Sequence, residues 1–329
     1  MNSLHDRFNR VISYLRISVT DRCNFRCTYC LPADGIEWLP RREVLSFEEI
    51  ARVVRVGSTL GLTKIRLTGG EPTARKNLPE LVRLIRAVPG VEEISMTTNA
   101  SRLGKLAKPL RDAGLDRVNI SLDTLQRTKM QQISRRDFYD EVLAGIAATV
   151  NSGLSPLKFN CVAMRGINDD EFCNLLEFAH RHDAQMRFIE YMPMGEARFT
   201  AQQQYISAPE IREILSARFD LQPLTSSNPT DPARLWRCTN SGATVGFITS
   251  ISEHFCDTCN RMRLTAEGGL RPCLHQNAEV NIRALLREGG SDQQLVQAFH
   301  HAAHLKWAGH HMNDTIPLYS AKEMIAIGG

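Results

Sequence analysis

The sequence predicts an α/β protein: parallel strands joined by helices and curled into a barrel-like cup, followed by an irregular C-terminal module. Two observations carry the first part. Short apolar segments alternate with helical patterns through about two-thirds of the 329 residues, and strands separated by helices of that length run parallel through right-handed crossovers. Polar residues then follow one strand after another, at Gly69, Gly70 and Glu71, at Thr97, Thr98 and Asn99, at Ser121 and Asp123, and at Glu190. C-terminal strand ends are where a (β/α) barrel builds its site. That favours a cup, although the pattern alone also fits a doubly wound sheet. The third observation is a break near Gly195, after which turns and cysteines dominate. The expected division is 1–200 for the cup and 201–329 for the second module.

The strand candidates are YLRISV at 14–19, KIRLT at 64–68, EISMTT at 93–98, RVNISL at 117–122, KFNCVAM at 158–164 and MRFIEYM at 186–192. Between them, Ser46 and Glu49 form a capping box that opens one helix. Leu78, Leu81, Leu84 and Ile85 mark the apolar face of the next, and Tyr139, Val142, Leu143, Ile146 and Val150 that of another. Asn168 and Glu171 are placed to cap the helix after them. Past the break, 196–210 reads as irregular, a helix is expected at about 209–218, and SSNPTDP at 226–232 reads as a loop. The short segments LWRCT and TVGFITSI complete the module, whose order is expected to depend partly on its cysteines.

With 43% hydrophobic and 23% charged residues, long disorder is not expected. No run of eighteen apolar residues suggests a membrane span, and MNSLHDRFNR lacks the apolar core of a secretory signal, so a cytoplasmic location is expected. A net charge of +4 calls for no nucleic acid, though it suits a small polyanion. Six of nine cysteines fall in two groups, Cys23, Cys27, Cys30 and Cys256, Cys259, Cys273. In a reducing compartment such groups read as metal ligands. Cys161, Cys173 and Cys238 read as buried small hydrophobes. His300, His301 and His304 share a helix and read as surface or packing residues.

Three thiolates at 23, 27 and 30, with no histidine in the next thirty residues, are one ligand short of a closed zinc site or a fully protein-ligated cubane. A [4Fe–4S] cluster with one open iron solves the count. The alternatives are a zinc knuckle with a distant fourth ligand and, fitting less well, a redox dithiol. Cys256, Cys259 and Cys273 are again three, with His254 and His275 nearby, so a Cys3His zinc is the alternative there. Arg261, Arg263 and Arg271 crowd that group, which suits an anionic ligand.

CNFRCTYC at 23–30 is similar to the cluster-binding signature of the radical S-adenosylmethionine superfamily, and LTGGEPT at 67–73 resembles its Gly-Gly-Glu-Pro motif. The resemblance implies a partial (β/α)6 barrel and an open iron chelated by the cofactor's methionine. It also implies reductive cleavage to a 5′-deoxyadenosyl radical. Over nearly its whole length the chain resembles the GTP 3′,8-cyclases, lyases that begin molybdenum cofactor (molybdopterin) synthesis. LRISVTDRCNFRCTYCLPADG, KIRLTGGEPTARKNLPELV, RFIEYMPMG, VGFITSISEHFCDTCNRMRLTAEGGLRPCL and the terminal Ile-Gly-Gly carry the match.

That resemblance implies two [4Fe–4S] clusters, one on each cysteine group, and residue roles by position. Gly69, Gly70, Glu71, Thr97 and Ser121 match S-adenosylmethionine contacts. Tyr29, between the last two cysteines, reads either as packing or as a ring edge presented to the cluster or to a bound adenine, and as a candidate cofactor contact on the latter reading. Arg16, Lys64, Arg66, Lys158 and Arg187 match cations that hold the GTP triphosphate, with Arg261 and Arg263 beside the nucleotide. Gly328 and Gly329 match a tail that re-enters the active site. The implied reaction removes hydrogen from ribose C3′ and joins C3′ to C8, giving (8S)-3′,8-cyclo-7,8-dihydroguanosine 5′-triphosphate. An external electron donor, hand-over to a cyclic pyranopterin monophosphate synthase and room for a homodimer follow from the same resemblance. The chain departs from the family's commoner forms in KWAGHH at 306–311, at Asn281 and in SAKEMIAIGG, and these departures bear on how the tail docks.

Overall fold

The computed structural model describes residues 3–225, 228–312 and 324–328. Its strands are β1 (Tyr14–Ser18), β2 (Lys64–Thr68), β3 (Glu93–Thr98), β4 (Arg117–Ser121), β5 (Lys158–Ala163), β6 (Gln185–Glu190), β7 (Leu221–Pro223), β8 (Ala233–Cys238), β9 (Thr244–Ile248), β10 (Arg261–Leu264), β11 (Gly269–Arg271) and β12 (Val280–Asn281). The helices are α1 (Phe47–Thr59), α2 (Leu78–Arg86), α3 (Leu103–Asp112), α4 (Arg127–Ser134), α5 (Tyr139–Ser152), α6 (Phe172–Arg181), α7 (Ala201–Gln204), α8 (Ala208–Ser216), α9 (Arg283–Arg287) and α10 (Asp292–His304). All strands join one open sheet in the order β12-β11-β10-β1-β2-β3-β4-β5-β6-β9-β8-β7. β1 through β6 are parallel, β10 runs parallel to β1, and β9 runs parallel to β6.

Two-sided chemistry shapes the strands. Parallel strands buried on both faces are usually apolar throughout. Here they alternate. Leu15, Ile17, Ile65, Leu67, Ile94, Val118, Phe159 and Met186 point outward and are fully buried within the helix-covered core. The residues between them are polar and line one interior cavity with contributions from β1 to β6 and β10. A sheet whose inner face encloses a single space from so many strands is a partial barrel, with β1 and β6 left unpaired to each other and extended by β10 and β9.

Local signals act as expected in α1, where Ser46 and Glu49 form the capping box. The same device opens α8 at Ser207 and Glu210 and α10 at Ser291 and Gln294. Asn168 does not cap α6. Its amide nitrogen donates to the carbonyls of Asp123 and Val162, both 2.9 Å, and Glu171 accepts from Thr124 Oγ1 and Leu125 N. Buried carbonyls at the strand ends need those donors more than the helix start does. Val150 is exposed rather than part of the α5 core face, and Cys173 is half-buried, while Cys161 and Cys238 are buried. Leu84 is only partly buried, and Val82 takes its place in the α2 face. His300, His301 and His304 are exposed.

Two strands of the C-terminal region, β9 and β10, continue the parallel sheet on either side. The stretch expected to be irregular, 196–210, contains α7 and the start of α8. Of the expected loop at 226–232, residues 228–232 are a turn-and-coil segment, and Ser226 and Ser227 lie outside the described residues. Among the described residues no helix is long and apolar enough to cross a membrane.

Candidate active site

The cavity has a volume of about 820 Å³, and both cysteine groups line it. Cys23, Cys27 and Cys30 sit in the loop after β1. Its backbone is fastened to the end of α4, where Arg26 N donates to Ser134 O (2.8 Å) and Thr28 N to Ile133 O (2.9 Å). The Gly69–Glu71 turn after β2 is knitted to the approach to Cys23 through Gly70 N to Thr20 O and Glu71 N to Arg22 O, both 2.8 Å. A Cβ at Gly70 would stand 2.5 Å from Arg22 O, so the two segments approach this closely only because glycine has none.

Glu71 is buried, and both carboxylate oxygens are engaged, by Thr73, by Thr98 Oγ1 (2.7 Å) and by Asn99 N (2.8 Å). Burial raises its pKa against those hydrogen bonds. Tyr29 likewise spends its hydroxyl inside the protein, donating to Asp123 Oδ2 at 2.7 Å, while Asp123 Oδ1 accepts from Val162 N at 2.9 Å. Burial lifts Asp123 to about 6 despite these bonds. Sequence reading noted Asp123 only as a polar strand end. Its partnership with Tyr29 is a contact across ninety-four positions of sequence separation.

The second group is held by other cations. Cys256 and Cys259 flank a short 3-10 turn, and Cys273 follows β11. Lys306, buried, donates to Arg261 O (2.8 Å) and Pro272 O (2.6 Å), so it ties the two cysteine-bearing segments together. Arg10 donates to Cys256 O (2.7 Å) and to the carbonyls of Trp307 and Ala308. The departure at 306–311 therefore supplies a structural clamp. Asn281 is exposed and caps Arg283 N (3.0 Å). Arg271 does not line the cavity; it pairs with Glu279 at 3.1 Å and donates to Gln276 O.

The two groups differ electrostatically. Burial, with Glu71 adding to it, pushes the Cys23 thiol up to about 12, and burial beside Cys30 and Asp123 pushes Cys27 up as well. At Cys259 burial also works upward, but Arg261 and Lys306 outweigh it and bring the thiol down to about 6. His275, which lines the cavity with His254, falls to about 3 through burial and the neighbouring His310, Arg263 and Arg261, so it stays neutral. None of the six cysteines is in a disulfide. Among the described residues no three His, Cys, Asp or Glu side chains converge closely enough for a single ion. Each group offers three thiols, one fewer than a cubane has irons, which is the donor set of a cluster with one open iron.

Strand register assembles the cations. Arg263, Arg16 and Arg66 lie opposite one another across β10, β1 and β2. Arg66 stands opposite Ser95, and Ser95 opposite Arg117. Lys64, Lys158, Arg187 and Arg261 line the same cavity. Burial, then mutual repulsion, lowers Arg16 well below its ordinary value and brings Lys158 down to about 7. A cavity that crowds buried cations is paid in repulsion until an anion enters. Three buried polar atoms, Tyr14 Oη, Thr97 Oγ1 and Asn160 Oδ1, have no hydrogen-bond partner among the described residues, and all three residues line the cavity, as does Ser121. Polar atoms of this kind are available to a ligand or to water. Arg117, Tyr14, Asn160 and Lys306 were missed in sequence, although the polar alternation within the strands marks the first three.

The chain end also reaches the cavity. Met324 and Ile325 line it, and Ile327 and Gly328 are buried. Arg263 donates to Ile327 O at 3.1 Å and to Gly328 O. Gly328 has φ +69°, and a Cβ there would meet Thr68 Oγ1 at 2.4 Å. Gly329 lies outside the described residues.

Comparison with known proteins gives the following. The Radical SAM superfamily model matches residues 17–179, and the Molybdenum Cofactor Synthesis C model matches 184–312. A GTP 3′,8-cyclase of Moorella thermoacetica is 46% identical, over 94% of this chain and 96% of its own length. One of Syntrophomonas wolfei is 41% identical, over 98% and 99%. Among solved structures, Streptococcus suis SuiB bound to precursor peptide SuiA is similar with a TM-score of 0.64, covering 96% of this chain and 76% of that one at 15% identity. At that identity the likeness speaks to the fold alone.

Proposed function

The chain belongs to the GTP 3′,8-cyclase family of the radical S-adenosylmethionine superfamily, and on that footing we propose how its cavity performs the reaction. The activity is cyclisation of GTP to (8S)-3′,8-cyclo-7,8-dihydroguanosine 5′-triphosphate, the first step of molybdenum cofactor biosynthesis. The family brings a [4Fe–4S] cluster and S-adenosylmethionine. A second cluster, on Cys256, Cys259 and Cys273, is our reading. The observation that carries the proposal is that both cysteine groups and the arginine row line one cavity.

In this reading Cys23, Cys27 and Cys30 hold the first cluster, and the Gly69–Glu71 turn, Thr97, Ser121 and Tyr29 surround the cofactor. Bound there, cluster and cofactor supply hydrogen-atom abstraction after one-electron reduction. Arg16, Lys64, Arg66, Lys158 and Arg187 receive the triphosphate, whose roughly four negative charges need compensation in a cavity. Holding ribose and base in one pose makes C3′–C8 bond formation intramolecular. After the C3′ hydrogen leaves and the bond forms, one electron and one proton complete the product. Arg261 and Arg263, beside the second cysteine group, are placed to stabilise the base during that step. Gly328, whose carbonyl accepts from Arg263, fills the wall there, and the role assigned to Gly329 from the sequence belongs to the same proposal.

We assign 1–200 to the partial barrel and 201–329 to the second cluster and tail. An external electron donor, hand-over to a cyclic pyranopterin monophosphate synthase, a cytoplasmic location and room for a homodimer belong to the same proposal. The test is anaerobic incubation of reconstituted protein with GTP, S-adenosylmethionine and a strong reductant. A cyclised isomer of GTP is expected, and its absence from protein with assembled clusters would overturn the reading.

A further inference from the structure

We infer that Asp231 is a specificity-determining residue: its carboxylate occupies the place of a phosphoryl group on Arg187 and sets how strongly ligand phosphate charge counts in binding. The inference rests on the GTP reading above and extends it to a residue outside the cation set. Arg187 is buried in the cavity wall, and its Nη2 meets Asp231 Oδ2 at 3.0 Å. Asp231 lines the same cavity. A phosphoryl oxygen arriving at that guanidinium N–H must displace this carboxylate oxygen or share the donor with it, and meets a like charge in either case.

The carboxylate does not depend on Arg187 for its position. Its other oxygen, Oδ1, accepts from Ala233 N at 3.1 Å, and Asp231 N donates to Asn228 O at 3.2 Å. The turn needs one acceptor, so the second oxygen is left to face the cations. The groups facing it are Arg187 and Lys158, and Arg187 in turn faces Arg117, whose own counter-ion is Glu93 at 2.6 Å. Lys158 is brought down to about 7 by burial and the neighbouring Arg187 and Arg117, so an arriving phosphate recruits its proton while Asp231 opposes the phosphate. Asp231 therefore offsets part of what each added phosphate charge gains from the cations, and the most highly charged ligand is opposed most.

The test uses cluster-loaded, full-length protein under anaerobic conditions, with affinities for guanosine, GMP and GTP measured by equilibrium dialysis. Asp231→Asn keeps the cap on Ala233 N and removes the charge. It is expected to bind GTP about tenfold tighter, GMP less so, and guanosine unchanged. Asp231→Glu should keep the wild-type ratio of GTP to guanosine affinity. Asp231→Ser, which also caps, gives a second neutral variant should the amide perturb folding. A GTP-to-guanosine ratio that stays the same or falls in the neutral variants would overturn the inference and make Asp231 a group that orients Arg187. Wild-type protein that bound no GTP would instead overturn the GTP reading.

Discussion

At position 328 the fold leaves room for a hydrogen and nothing larger. The backbone is in the left-handed region, and a methyl would collide with Thr68 Oγ1 at 2.4 Å. Gly328→Ala should displace the tail from Arg263 while leaving the cysteines and the strand-borne cations untouched. Iron content and GTP affinity are expected to hold, and cyclised nucleotide per 5′-deoxyadenosine to fall roughly tenfold to a hundredfold. Measuring both products in one reaction checks it, and an unchanged ratio would remove the tail from the chemistry. Asp123 fastens Tyr29, next to Cys30, to β5 through Val162 N. Asp123→Ala orphans two buried donors, a loss of about 1–3 kcal/mol. S-adenosylmethionine affinity should drop roughly tenfold, with Tyr29→Phe showing a smaller loss and GTP affinity unchanged in both.

Elements meet through a few buried groups. Glu190, at the end of β6, accepts from Ala208 N (3.0 Å), Ile251 N (2.8 Å), Ser252 N (2.9 Å) and Ser252 Oγ (2.5 Å). One carboxylate therefore ties the barrel to the start of α8 and to the loop after β9. Glu190→Gln replaces an acceptor oxygen with a donor facing an N–H. It should cost about 2–3 kcal/mol of unfolding free energy, read as a lower midpoint in denaturant with an unchanged slope. A midpoint equal to wild type would mean that the loop is held elsewhere. The strands themselves were legible within a residue or two, because their apolar alternate positions pack under helices. The partners of β9 and β10 were not, since pairing across more than fifty positions leaves no trace in local pattern.

For the whole molecule, the question is whether one cavity runs two separable tasks. The first cysteine group sits with Glu71 and Asp123, the second with Arg261 and Lys306. Loaded protein is expected to carry about eight irons and eight sulfides. Cys27→Ala should abolish cleavage of S-adenosylmethionine. Cys259→Ala should keep some uncoupled cleavage and lose cyclisation. Anaerobic assays of 5′-deoxyadenosine and cyclised nucleotide in both variants separate the tasks, and identical losses would merge them.

What the sequence determined by itself was whatever is written in nearest neighbours and fixed spacing. Cysteine spacing set apart two groups of three, alternation identified the six barrel strands, and Lys64 and Arg66, two apart, had to share a face. Tertiary structure decided which polar groups are consumed by the protein and which are left for a ligand. Glu71, Tyr29 and Arg271 proved to be engaged internally, whereas Thr97, Tyr14 and Asn160, which line the cavity, each keep an atom with no partner among the described residues. It also decided that Arg263, Arg16 and Arg66 stand in one row. Register between strands distant in the chain is set by how the whole sheet packs, and a hydrogen-bond partner is chosen by three-dimensional proximity and burial, which no local pattern encodes.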